Sequence, residues 1–207
     1  MYVPPYFSIS DPNEVYSFLL ENPFATLVGS ADAGELSATH LPLLLSSDKK
    51  FLFGHIAKQN QQIQTFQSNA KVLCIFSGPH CYISPTWYES KQAVPTWNYL
   101  AVHITGILRI IDDPIQIRNN LNLLVKTFES DTSLYSLDQL DPKYLEGLEK
   151  GILSFEIQIE KLEGKQKLSQ NHSKERQRLV IDNLHANGGD SEKKIAERMK
   201  KILELSP

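Results

Sequence analysis

The stretch Thr96–Ile111 is too long and too rich in β-branched residues to be anything but one strand, with Gly106 marking a bend. Much of the chain before it reads the same way. Phe24–Val28 reads as a buried strand, followed by a turn over Ser30–Gly34 and a longer strand over Glu35–Leu45. A hairpin turn at Ser46–Lys50 leads into a strand at Phe51–Ile56, and Lys71–Ser77 alternates as another. Helices are short and peripheral. Asp11 and Pro12 open one that stops at Asn22-Pro23, Asn60–Phe66 is a short one, and Tyr82–Val94 is a polar, aromatic connection. Asp113-Pro114 caps a helix striped by Ile117, Leu121, Leu124 and Phe128, and Leu140–Lys150 is helical. Gly151–Leu162 closes the strand series. Two charged helices follow near Ser173–His185 and Ser191–Leu203, separated by a break over Ala186–Asp190.

Six or seven strands with interspersed helices and no regular βαβ alternation predict a barrel within an α+β domain. No glycine-rich fingerprint follows a strand, which excludes a Rossmann site and a phosphate loop. At 207 residues, with 41% hydrophobic and 22% charged, the chain suits one globular domain with a small appendage. The expected division is 1–171 for the domain and 172–207 for a helical extension. No apolar run approaches the ~20 residues of a membrane helix, and the start lacks a signal-peptide pattern, so a cytoplasmic protein without membrane contact is expected.

The net charge of −3 argues against a broad nucleic-acid surface, although residues from 160 onward carry 11 basic against 8 acidic side chains. A basic tail of this kind is either a solvated helix face or a DNA-binding element.

Four segments have the composition of a site. In Gly54–Asn60, Lys58 supplies a charge, His55 a donor, and Asn60 opens a short helix whose free N–H groups favour an anion; taken alone, the segment reads more readily as a surface lysine and an ordinary cap. In Ser37–Leu43, His40 sits mid-strand and Pro42 removes a ladder donor, which marks either a ligand-facing strand or an edge. The aromatic segments Pro85–Tyr88 and Val94–Tyr99, holding Trp87, Trp97 and Asn98, suit a flat ligand or a subunit interface. In Gly164–Asn171, Lys165, Lys167 and Ser169 would share one face of a strand, as an anion site or a lysine-protected edge.

No catalytic set emerges. The histidines lack metal-helix spacing, no nucleophile elbow is present, and Cys74 and Cys81 form no disulfide framework. Reactivity would have to come from a bound cofactor.

Taken in order, Tyr2-Val3-Pro4, Asn22–Val28, Ala38–Leu43, Gly54–Asn60, Gly78-Pro79-His80, Tyr82–Pro85, Val94–Tyr99 and Lys165–Asn171 resemble the PaiB-type FMN-binding split-barrel family, known as negative transcriptional regulators. The resemblance runs from about residue 2 to about residue 185. It implies a split β-barrel homodimer with peripheral helices, flavin sites at the subunit interface, and repression of protease and sporulation genes. By position, it implies that Thr39, His40, Leu41 and Pro42 line FMN and that His55, Lys58 and Asn60 form the phosphate end. Trp97, Asn98, Lys165, Lys167 and Ser169 would close the site. The wider superfamily includes pyridoxamine phosphate oxidases, which carry an arginine where this chain has Thr39-His40. DNA contact follows from the regulatory role alone, and a flavin-dependent oxidoreductase using NAD(P)H is the alternative.

Overall fold

A short 3₁₀ turn at Pro5–Phe7 precedes α1 (Pro12–Glu21), whose Val15, Phe18 and Leu19 are buried, at the expected spacing. Strand β1 (Phe24–Ser30) then pairs antiparallel with β2 (Leu36–Pro42). This computed structural model describes residues 1–31, 34–66, 69–90, 92–130 and 132–205; the turn expected at Ser30–Gly34 lies partly outside them, at Asp32 and Ala33.

The single strand expected over Glu35–Leu45 is two strands. After β2 the chain leaves the ladder at Leu43 and resumes as β3 (Leu44–Leu45), which pairs with β4 (Phe51–Ala57) and not with β1. Pro42 has no N–H to continue the ladder, and the N–H of Leu43 donates to the carbonyl of Pro23 at 2.9 Å. The remaining strands are β5 (Ala70–Ile83), β6 (Thr96–Ile111) and β7 (Ile152–Lys167), in the sheet order β2-β1-β5-β6-β7-β4-β3. The two ends of that order, β2 and β3, are separated in the chain by Leu43 alone, and β2 also touches β4. A sheet whose first and last strands are consecutive must curl on itself, and this is the split barrel. The fold is α+β.

Strands β5 and β7 run well past the ends expected at Ser77 and Leu162, each through a glycine that packs closely. A Cβ on Gly78 would lie 2.5 Å from Phe18, so glycine lets β5 continue beneath that ring. Gly164 likewise passes under Ile9 and Val15, with the Ile9 N–H donating to its carbonyl at 3.1 Å, and β7 runs on to Lys167. The connection expected at Tyr82–Val94 therefore starts later; its Lys91 lies outside the described residues.

Helix α2 (Pro114–Phe128) is capped by Asp113, and α3 (Pro142–Gly151) by Asp141. The stripe of α2 is only half covered: Ile117, Leu121 and Leu124 are half-buried and Phe128 is exposed. The C-terminal helices α4 (Lys174–Asn187) and α5 (Asp190–Leu205) extend into the expected break, leaving only Gly188 and Gly189 between them. They pack on one another, burying Val180, Ile181 and Leu184 from α4 and Ile195, Ala196 and Met199 from α5.

The chain forms two compact units. The first holds Met1–Phe18, Ser77–His103 and Glu163–Pro207, and the second holds Leu19–Phe76 and Ile104–Leu162. Among the described residues no helix is long and apolar enough to cross a membrane.

Candidate functional site

In the second unit the cross-strand pair Thr26–His40 organises the outer face of β1 and β2. The hydroxyl of Thr26 and Nδ1 of His40 are 3.0 Å apart, and the imidazole lies nearly parallel to the ring of Phe24, at 6.2 Å and 19°. Phe24 is 64% exposed, so its ring and the imidazole present a flat surface to solvent.

The pleat divides the four residues expected to line a flavin. His40 faces out, whereas the Leu41 side chain is in the core at 4% exposure, and Thr39 accepts a hydrogen bond from the Asn60 amide at 2.9 Å. Asn60 has both ends of its amide engaged, because Oδ1 also caps the N–H of Gln62. The short helix expected there is a 3₁₀ turn, Gln61–Thr65. Gln62 is buried and donates to the carbonyls of Leu27 and Ser37, which ties this turn to β1 and β2. That tether holds the preceding Lys58 segment beside β2. The Lys58 backbone N–H donates to the carbonyl of Gly151 at 3.0 Å, and its ammonium is exposed with no ion pair among the described residues. His55 is half-buried on β4, and burial lowers its pKa, so it favours the neutral form.

The first unit holds the other predicted residues, in two separate environments. Asn98 and Ser169 are fully buried and bonded to each other, Nδ2 to Oγ at 3.1 Å, beneath Met199 of α5, whose sulfur is 3.4 Å from the same amide nitrogen. Trp97 points the other way and is 53% exposed, with Tyr82 edge-on at 6.1 Å and His80 tilted at 6.2 Å. Lys167 reaches the same edge: its ammonium donates to the carbonyl of Trp97 at 2.6 Å and to the hydroxyl of Thr96. Lys165 is buried, donates to the carbonyl of Tyr2 at 3.0 Å, and lies over the ring of Tyr99 at 5.3 Å. Burial and then the neighbouring Lys165 charge push the Lys167 pKa down.

Sequence reasoning missed Phe24, Thr26, His80 and Tyr82 as parts of these surfaces. Their signal was strand pairing, which brings Thr26 opposite His40 only once the register is known. The segment around Trp87 and Tyr88 joins α4 instead, through Arg176, which forks onto Glu89 and stacks over the Tyr88 ring at 4.6 Å. Both cysteines are free thiols in buried positions. Burial pushes the Cys74 and Cys81 thiols up to about 12.

The family model described as "Putative FMN-binding domain" matches residues 1–161. The protein "Protease synthase and sporulation protein PAI 2" of Bacillus subtilis (strain 168) is 37% identical over 207 residues, covering 99% of both chains. The chain belongs to the PaiB-type FMN-binding family. The flavocytochrome Anf3 of Azotobacter vinelandii shares the fold, with a TM-score of 0.62, 15% identity, and coverage of 80% of this chain and 72% of that one. An FAD- and heme-binding protein of Mycobacterium smegmatis matches at a TM-score of 0.58 and 15% identity, over 76% and 72% of the two chains. These last two likenesses speak to the split barrel alone.

Membership raises the question of whether these side chains suit FMN. An exposed flat wall at Phe24 and His40, the hydroxyl of Thr26 beside them, and an exposed ammonium at Lys58 with no ion pair among the described residues are groups that fit a planar ring with a phosphate.

Three half-buried histidines, His55, His103 and His172, are shifted in the same direction, each with burial as the largest cause. A folded-state pKa below the ordinary ~6.5 means that the unfolded chain binds more protons near that pH. Stability is therefore full above pH ~6.5 and falls as pH drops through the lowered values. Urea midpoints at pH 7.5 and 5.5 will show the loss, and His55→Gln will reduce it.

Proposed function

We propose that the protein is an FMN-binding negative transcriptional regulator of protease and sporulation genes, with the flavin as ligand or redox sensor. The observation that carries this reading is the full-length 37% identity to the PAI 2 protein, whose printed name joins protease synthesis to sporulation. His40 and Pro42 on β2 would hold the ring of FMN, and Lys58 and His55 would hold its phosphate. Bound there, it supplies one- and two-electron redox chemistry. The side chains bind and orient it, and His55 donates as a neutral imidazole.

The acting species is a homodimer, a reading supported by the half-covered apolar stripe of α2, which a second copy would bury. Residues 172–207 extend the flavin domain beyond the family match. DNA contact by α4 and α5 draws little support from charge, since Arg176 and Arg198 are held by Glu89 and Glu14.

Overproduction in Bacillus subtilis tests the regulatory reading. Secreted protease activity is expected to fall and sporulation to be delayed, and unchanged levels of both would overturn it. The second reading, an oxidoreductase, is favoured by the open aromatic surface at Trp97 and Tyr82. Anaerobic addition of NADH or NADPH to the FMN-loaded protein decides it. Bleaching of the flavin absorbance supports an enzyme, and an unchanged spectrum removes these reductants.

A further inference from the structure

Within the first unit, the start of α1, the end of β7 and the last turns of α5 enclose a recess of about 220 Å³, and none of the residues assigned to FMN lines it. Helical spacing puts the α5 contribution on one stripe, since Arg198, Lys201, Ile202 and Leu205 follow at i, i+3, i+4 and i+7. Asp11 and Glu14, three residues apart at the start of α1, supply another wall.

The walls carry two acids and two bases, but these are not equally free. Glu14 and Arg198 neutralise each other: Nη2 donates to the carboxylate at 2.5 Å, while Nε donates to the Gln166 amide oxygen at 3.2 Å. Arg198 is thereby fixed as part of the frame. Asp11 and Lys201 are exposed and form no ion pair among the described residues, although Asp11 Oδ1 accepts from the N–H of Asn13. On the same stripe as Lys201, Ile202 is half-buried and Leu205 is 74% exposed, which gives the recess an aliphatic side.

This arrangement selects among ligands by charge. A simple anion drawn to Lys201 is repelled by Asp11, and a simple cation drawn to Asp11 is repelled by Lys201. A molecule that carries both charges satisfies both residues. We propose that the recess binds a zwitterionic α-amino acid with an aliphatic side chain, its carboxylate on Lys201, its ammonium on Asp11 and its side chain against Ile202 and Leu205. Such a ligand ties α1 to α5 beside the Glu14–Arg198 pair, so its binding also stabilises the folded chain.

Calorimetric titration of the whole protein with four probes tests this: L-leucine, 4-methylpentanoate, which lacks the ammonium, 3-methylbutylamine, which lacks the carboxylate, and glycine, which lacks the side chain. Leucine is expected to bind at least about tenfold more tightly than either singly charged analogue, the scale of a charge-assisted hydrogen bond. Its advantage over glycine should be at least about fivefold, from aliphatic surface removed from water. Lys201→Gln should abolish the preference for leucine over the amine, and Asp11→Asn the preference over the acid. Both positions are exposed, and asparagine caps a helix as well as aspartate does, so both variants should fold. No binding of leucine at millimolar concentration, equal binding of any of the other probes, or a preference that survives both substitutions would overturn the proposal.

Discussion

Phe155→Ala is expected to lower the unfolding free energy by about 3–5 kcal/mol, the range for removing a fully buried phenylalanine. The ring has no solvent exposure and meets Phe66 edge-on at 5.3 Å. It also lies across the ladder from Gly54, where an added Cβ would come within 3.0 Å of it and within 2.7 Å of Leu43. Leu43 is the residue at which the chain passes from β2 to β3, so this cluster sits where the barrel closes. Cooperative denaturant unfolding gives the number directly. A loss below about 1 kcal/mol would mean that the surroundings collapse to fill the space, contrary to close packing around Gly54. The reverse substitution sharpens the test. Gly54→Ala should be destabilising in the native protein by overpacking, and less so when Phe155→Leu has shortened the facing side chain.

Lys58→Ala is expected to weaken FMN by about 1–3 kcal/mol, or about five- to 150-fold, the contribution of a charge-assisted hydrogen bond that becomes partly buried on binding. Stability should change little, because the exposed ammonium has no ion pair among the described residues, and the bond from this residue to Gly151 is made by the backbone. That separation makes the variant informative. An FMN titration of the variant reads the effect, and unchanged affinity would remove Lys58 from the site. Raising the salt concentration should reduce the difference between the two proteins, as expected for a partly exposed charge.

The fold was legible where pattern and period carry it. The strand at Thr96–Ile111 has the predicted ends, the α2 cap is at Asp113, and the order of the main helices and strands agrees apart from the division of Glu35–Leu45. Errors arose where packing between distant residues decides. The strand expected at Lys71–Ser77 runs on through Gly78, and the one expected at Gly151–Leu162 through Gly164; each glycine is a point of close packing that depends on Phe18, Ile9 and Val15 far away in sequence. The change of partner at Leu43 was hidden because both halves of Glu35–Leu45 are good strand sequence. Only the closed sheet separates them.

The candidate site was less legible. A family resemblance points to residues, but the direction of each side chain depends on the pleat and on partners. Leu41 turns into the core, Asn60 is occupied in capping and in holding Thr39, and Asn98 bonds to Ser169 under α5. Lys58 and His40 are exposed to solvent. Phe24 and Thr26 join them through strand register, which no local window contains.

The central claim is that this barrel carries FMN on the β2 surface, and a direct titration tests it. Flavin-free protein titrated with FMN, followed by quenching of flavin fluorescence, should saturate at one FMN per chain, with the Lys58→Ala curve displaced to higher concentration. No quenching at high micromolar FMN would contradict the account: the barrel would then be a member of the family that has kept the fold without the flavin.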